Sequence, residues 1–139
     1  MEYKFLEHKA DAKFQAFGKT LEEAFSNAAL AMFSIMTKTG KIKPKIEKKI
    51  VVDGIDQKSL LSNFLEKILF LLDTEGFLLN KVKKIKIEKN KLNAILIGDG
   101  INSYELFGEV KAVTYNEMFI KKEKEKYIVQ VVVDMWIKI

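Results

Sequence analysis

The chain has one histidine, His8, and three residues further on an aspartate, Asp11, which leads into the stretch Ala12-Lys13-Phe14-Gln15-Ala16-Phe17-Gly18. Near the other end, the run Tyr127-Ile128-Val129-Gln130-Val131-Val132-Val133-Asp134-Met135-Trp136 contains a single acidic residue, Asp134. A partly buried carboxylate is costly unless it is paired or holds a cation, so these side chains are the ones to weigh for chemistry. If Asp11 and Asp134 met across a sheet, their oxygens would suit a hard cation such as Ca2+ or Mg2+ far better than zinc. Plainer readings stand beside this one. Asp11 also fits a turn between two short strands, Asp134 a strand-end carboxylate facing water or a lysine, and His8 a hydrogen-bonded structural side chain. Sequence spacing leaves open whether the two aspartates meet.

Other chemistries find little support. There is no cysteine, which removes disulfides, thiolate metal sites and thiol nucleophiles and makes a reducing compartment the expectation. A histidine-based triad could use only His8, and no serine or threonine stands in a nucleophile context. Gly98-Asp99-Gly100 lacks the third glycine and the following helix of a dinucleotide fingerprint and reads as a turn. That leaves carboxylates as the chemistry to weigh.

The 24 basic residues are all lysines, set against 19 acidic ones for a net charge of +5. Lysine lacks the planar fork with which arginine reads phosphates and guanine edges, so sequence-specific nucleic-acid recognition is disfavoured. The lysine-rich stretches Lys41 to Lys49, Lys81 to Lys86 and Lys121 to Lys126 are broken by glutamates or apolar residues. They read as solvated faces and loops, with direct nucleic-acid binding weak or absent; a phosphate-contacting or acidic-partner patch is the sharper alternative. No apolar run approaches the ~18 residues of a membrane span and no signal core is visible, so the expected location is the cytoplasm.

The elements that must position the aspartates follow from periodicity. Thr20 and Glu23 form a capping box for a helix whose apolar residues Leu21, Ala24, Phe25, Ala28, Met32, Ile35 and Met36 recur at three- and four-residue steps, with Gly40 as a stop. A second helix starts at Asp56 and runs through a wider apolar face, Leu60 to Leu72, to a turn-like cluster at Asp73-Thr74-Glu75-Gly76. Strands are expected at Ala12 to Phe17, Lys49 to Asp53, Val82 to Glu88, Leu92 to Ile97, Glu109 to Thr114, Met118 to Lys122 and Tyr127 to Trp136, with a hairpin turn at Asn90. Phe5, Phe14, Phe17, Phe25, Phe33 and Phe64 are assigned to core faces. Alternation puts Tyr127, Val129, Val131, Val133 and Met135 on one face, and Asp134 on the other with Gln130 and Val132. The fold class is α+β: one domain over 1–139, a sandwich of two helices packed on a largely antiparallel sheet.

Several stretches together resemble the archease family: Tyr3 to Met36, Leu60 to Leu78, Glu109 to Met118 and the closing Val131 to Met135. The carriers are the H-x-x-D start at His8 and Asp11, the G-x-T-L-E-E-A-F helix opening, the E-V-K-A-x-T-Y run and the final D-hydrophobic pair. The resemblance covers essentially the whole chain in order and implies a compact module of strand-helix-strand-strand character. It also implies a protein that is not an enzyme but a cofactor of an RtcB-type RNA ligase in tRNA splicing, promoting guanylylation and multiple turnover. Carried over residue by residue, the metal ligands would be Asp11, Asp134 and Met135, the last through its peptide carbonyl, with His8 in a supporting or partner-facing role. The cation would be Ca2+ first, with Mg2+ or Mn2+ as alternatives. The competing expectation is a chaperone-like binding module for a tRNA-modifying enzyme such as a methyltransferase.

Overall fold

The computed structural model of the protein describes residues 1–6 and 11–136. Two strands, β1 (Tyr3–Leu6) and β2 (Ala12–Gly18), precede helix α1 (Leu21–Ser34); β3 (Ile46–Asp53) and helix α2 (Gln57–Glu75) follow. Four further strands complete the order: β4 (Phe77–Glu88), β5 (Lys91–Gly100), β6 (Val110–Glu123) and β7 (Lys126–Met135). The class is α+β, as the pattern predicts, but the strands divide into two antiparallel sheets. One is four-stranded in the order β1-β2-β7-β6, the other three-stranded in the order β3-β5-β4.

Both helices touch both sheets, α1 against β2, β7 and β4, and α2 against β6, β3 and β5, so the helices form the middle layer. This placement explains a feature that a one-stripe reading of α1 misses. Beside the expected Ala24, Phe25, Ala28 and Met32, the helix also buries Ala29, Ala31 and Phe33. A helix apolar on most of its circumference is one packed on more than one side. The alanines let two sheets approach it, while Phe25 stacks on Phe64 of α2 with ring centroids 6.2 Å apart.

Local chemistry sets the element ends. Thr20 caps α1 by accepting from the Glu23 amide at 3.1 Å, although the Glu23 carboxylate reaches one residue further back, to the Lys19 amide. Helix α1 ends at Ser34, before Gly40, which lies in a short 3-10 turn at Thr39–Lys41. Asp56 caps α2 in a reciprocal box with Ser59. The helix runs through Asp73-Thr74-Glu75 and stops only at Gly76, whose φ of 65° is the left-handed conformation glycine adopts without cost. Lys89 and Asn90, both at positive φ, form the expected hairpin turn between β4 and β5.

Three expectations change. The two predicted strands at Glu109 to Thr114 and Met118 to Lys122 are one strand, β6. Its register against β7 jumps from Thr114↔Val132 to Phe119↔Gln130, and Glu117 takes a positive φ within this bulge. Gly98-Asp99-Gly100 is no turn but the end of β5; a Cβ on Gly98 would lie 1.9 Å from the Leu78 carbonyl oxygen, so the glycine serves close strand approach. Phe5, on the edge strand, is 50 % exposed, and Phe17 lies on the outer sheet face beneath the Lys4 and Lys126 ammonium groups. The other four named phenylalanines are buried in the core.

Candidate metal centre at the end of β2 and β7

Alternation along β7 sends Val129, Val131 and Val133 into the core, where each is fully buried. Asp134 therefore shares the outer face with Gln130 and Val132. Its neighbour β2 runs antiparallel in an unbroken register from Gly18↔Tyr127 to Ala12↔Val133. Asp11, in the bend that opens β2, and Asp134 of β7 each lie one residue beyond the last registered pair, Ala12↔Val133. A register continued by one step would oppose the two aspartates with Cβ atoms about 4.5–5.5 Å apart, a spacing that suits carboxylates sharing one cation at oxygen distances of ~2.3–2.6 Å. Both aspartates are half-buried. On its other side Asp134 is registered with Ala112 of β6, whose methyl group leaves room beside the carboxylate.

The neighbouring side chains tie the three strands together. Gln15 of β2 donates to the Gln130 side chain at 2.9 Å, and Gln130 donates to the Glu117 carbonyl at 2.8 Å, so a nearly buried amide has its needs met on both flanks. Lys13, one pair along from Asp11, points its ammonium to Glu117 at 3.2 Å. Thr114 donates to the Val132 carbonyl at 2.9 Å. Beyond Asp134, the Lys111 ammonium sits 4.9 Å from the centroid of the half-exposed Trp136 ring. From the middle layer, Glu66 of α2 accepts the Val113 amide at 2.7 Å, anchoring β6 next to the residue that faces Asp134.

Of the site residues expected from sequence, Asp134 lies in β7 and Asp11 in the bend just before β2, each next to the Ala12↔Val133 pair. Met135 is registered with Val110 and packs its side chain against the core, with its Sδ–Cε end beside Gly108, so only its peptide carbonyl is a plausible donor. His8 lies outside the described residues. Among the described residues, no cluster of three or more histidine, aspartate or glutamate side chains could enclose a metal by itself. The donor set is all oxygen, which fits a hard cation, but it supplies a partial shell for an ion that takes six to eight oxygens. Sequence reasoning did not find Glu66 or Glu117.

The architecture defines a class: a small α+β module whose two helices are held between antiparallel sheets of four and three strands. The chain belongs to the archease family, since the model of the "Archease protein family (MTH1598/TM1083)" matches residues 3–135. It is 39% identical to protein archease of Sulfurisphaera tokodaii over 136 residues, covering 96% of this chain and 98% of that one. It is 36% identical to protein archease of Methanosarcina acetivorans over 139 residues, covering 96% and 95%. Among solved structures, Methanobacterium thermoautotrophicum protein 1598 superposes with a TM-score of 0.82 at 36% identity, covering 96% of this chain and 98% of that one. A Thermotoga maritima protein described as an archease and possible chaperone shares the fold, with a TM-score of 0.63 at 20% identity and coverage of 94% and 95%. No helix among the described residues is long and apolar enough to cross a membrane.

Proposed function

We propose that this chain is a non-enzymatic protein cofactor of an RtcB-type RNA ligase in tRNA splicing, and that it holds a divalent cation between Asp11 and Asp134. The observation that carries the reading is the β2–β7 register, whose last pair, Ala12↔Val133, has Asp11 and Asp134 as its immediate neighbours on the two strands. The partner and the reaction are taken from what the archease resemblance implies: the chain would assist guanylylation of the ligase and its repeated turnover. Asp11 and Asp134 would contribute carboxylate oxygens and Met135 a peptide carbonyl, with His8 in a supporting role; Ca2+ fits such a set first, Mg2+ or Mn2+ next. When bound, the cation would supply positive charge with unfilled coordination positions. The chain's own residues would fix those positions at a sheet end, where Glu66 and the Gln15–Gln130 link hold the strands.

The test has two arms. Thermal unfolding is followed with and without Ca2+: a cation at 100 times its Kd stabilises a one-site protein by about 2.7 kcal/mol, and Asp134→Asn removes that gain. Multiple-turnover ligation with limiting ligase and excess RNA ends is then measured with the native chain and with Asp11→Ala. The reading is wrong if the native chain leaves turnover unchanged, or if Asp11→Ala stimulates equally. A chaperone-like role toward a tRNA methyltransferase draws support from the description of the Thermotoga protein. It predicts suppressed aggregation of the partner that survives both chelation and Asp11→Ala.

A further inference from the structure

The two sheets turn different chemistry outward. On β5 the buried residues Leu92, Ala94, Leu96 and Gly98 face the helices, which leaves Lys91, Asn93, Ile95 and Ile97 on the other face. Register extends this outer face sideways. Lys49 of β3 and Lys84 of β4 flank Ile95 in one transverse row, and Glu47 and Lys81 flank Ile97 in the next. The extra residue of the β4 bulge, Lys83, pairs with Glu47 at 2.6 Å across the central strand, and Lys86 pairs with Glu88 at 3.1 Å. Lys49, Lys81 and Lys84 are exposed and make no ion pair among the described residues. The Glu47 carboxyl is held below its usual range, first by Lys83 and further by Lys49, as expected in a positive field.

We propose that this outer face of the β3-β5-β4 sheet, through Lys49, Lys81 and Lys84 around Ile95 and Ile97, binds the phosphate backbone of double-helical RNA without reading its sequence. Charge complementarity indicates a polyanion. The composition selects among polyanions. A protein partner's interface would be built around aromatics, methionine or arginine and would be poor in lysine, whereas this face has lysines and none of the former. Single-stranded nucleic acid would be gripped by stacking on aromatic rings, and the three strands place none around Ile95 and Ile97. Duplex backbone requires only cations on a broad surface. The choice of RNA over DNA rests on the proposed ligase role; the lysine field itself does not.

The test is fluorescence anisotropy with a labelled RNA hairpin between 50 and 200 mM KCl, in EDTA and without ligase, so that its failure leaves the cation and ligase reading untouched. Three phosphate contacts give a slope of log K against log salt near −2.7, and hence about a 40-fold loss of affinity over that range. The triple variant K49E/K81E/K84E should abolish low-salt binding and leave the circular dichroism spectrum native. The triple variant K19E/K58E/K122E, equal in charge but on other surfaces, should keep the slope. Equal losses in the two variants would reduce the effect to net charge and overturn the proposal. So would tighter binding of a DNA hairpin, or displacement of the RNA by polyglutamate at equal charge.

Discussion

Glu66→Ala probes how the middle layer fixes the strand beside the candidate site. In the native protein the Glu66 carboxylate accepts the Val113 amide at 2.7 Å in a partly buried setting. Hydrogen bonds to charged groups contribute about 1.5–3 kcal/mol, and partial exposure places this one near the lower end, about 1.5–2 kcal/mol. Truncation also leaves the Val113 amide without its acceptor on the helix-covered edge of β6. For a chain of this length that loss lowers Tm by roughly 5–9 °C. Glu66→Gln keeps an acceptor oxygen but loses the charge, so it should cost about half as much. Urea unfolding of the three proteins measures the effect as a shift in midpoint at constant slope. A change below about 0.5 kcal/mol for Glu66→Ala, or a glutamine variant as damaged as the alanine one, would refute the assignment of this bond as the anchor of β6.

Gly98→Ala should fail to give a stable fold, because the added Cβ meets the backbone oxygen of Leu78 at 1.9 Å and neither strand can yield; soluble expression and near-UV dichroism report it. Thr20→Ala removes the acceptor for the Glu23 amide and should cost about 1 kcal/mol by chemical denaturation. The acid limb of stability should depend on Asp99, whose carboxyl is held below its usual range by the Tyr104 hydroxyl and then the Gly100 amide. A folded-state pKa below the unfolded one stabilises the protein above the unfolded value and is lost as pH falls through the folded value. Tm measured from neutral pH downward should therefore fall less steeply below about pH 4 in Asp99→Asn than in the native chain.

Much of this protein is determined by local pattern. Alternation in β7 assigns Asp134 to the face opposite Val129, Val131 and Val133, and Asp56 and Asn90 mark a helix start and a hairpin turn through their own backbone chemistry. These features need only neighbours within a few residues, and such neighbours are written in order along the chain. The resemblance of whole segments to one family is likewise a property of the sequence, and it marked Asp11 and Asp134 before any geometry did.

Tertiary structure alone decided the rest. That the strands form two sheets with the helices between them depends on which edges meet, and the alanines of α1 are compatible with one packed side or two. That Gly98 sits in a strand depends on how closely Leu78 approaches. The register that pairs Ala12 with Val133 joins strands from opposite ends of the chain, where a slip of one position would turn Asp134 to the other face. The outer lysine face arises in the same way. Lys49 comes from one charged stretch and Lys81 and Lys84 from another, and only the pairing of β3 and β4 on either side of β5 gathers them around two isoleucines.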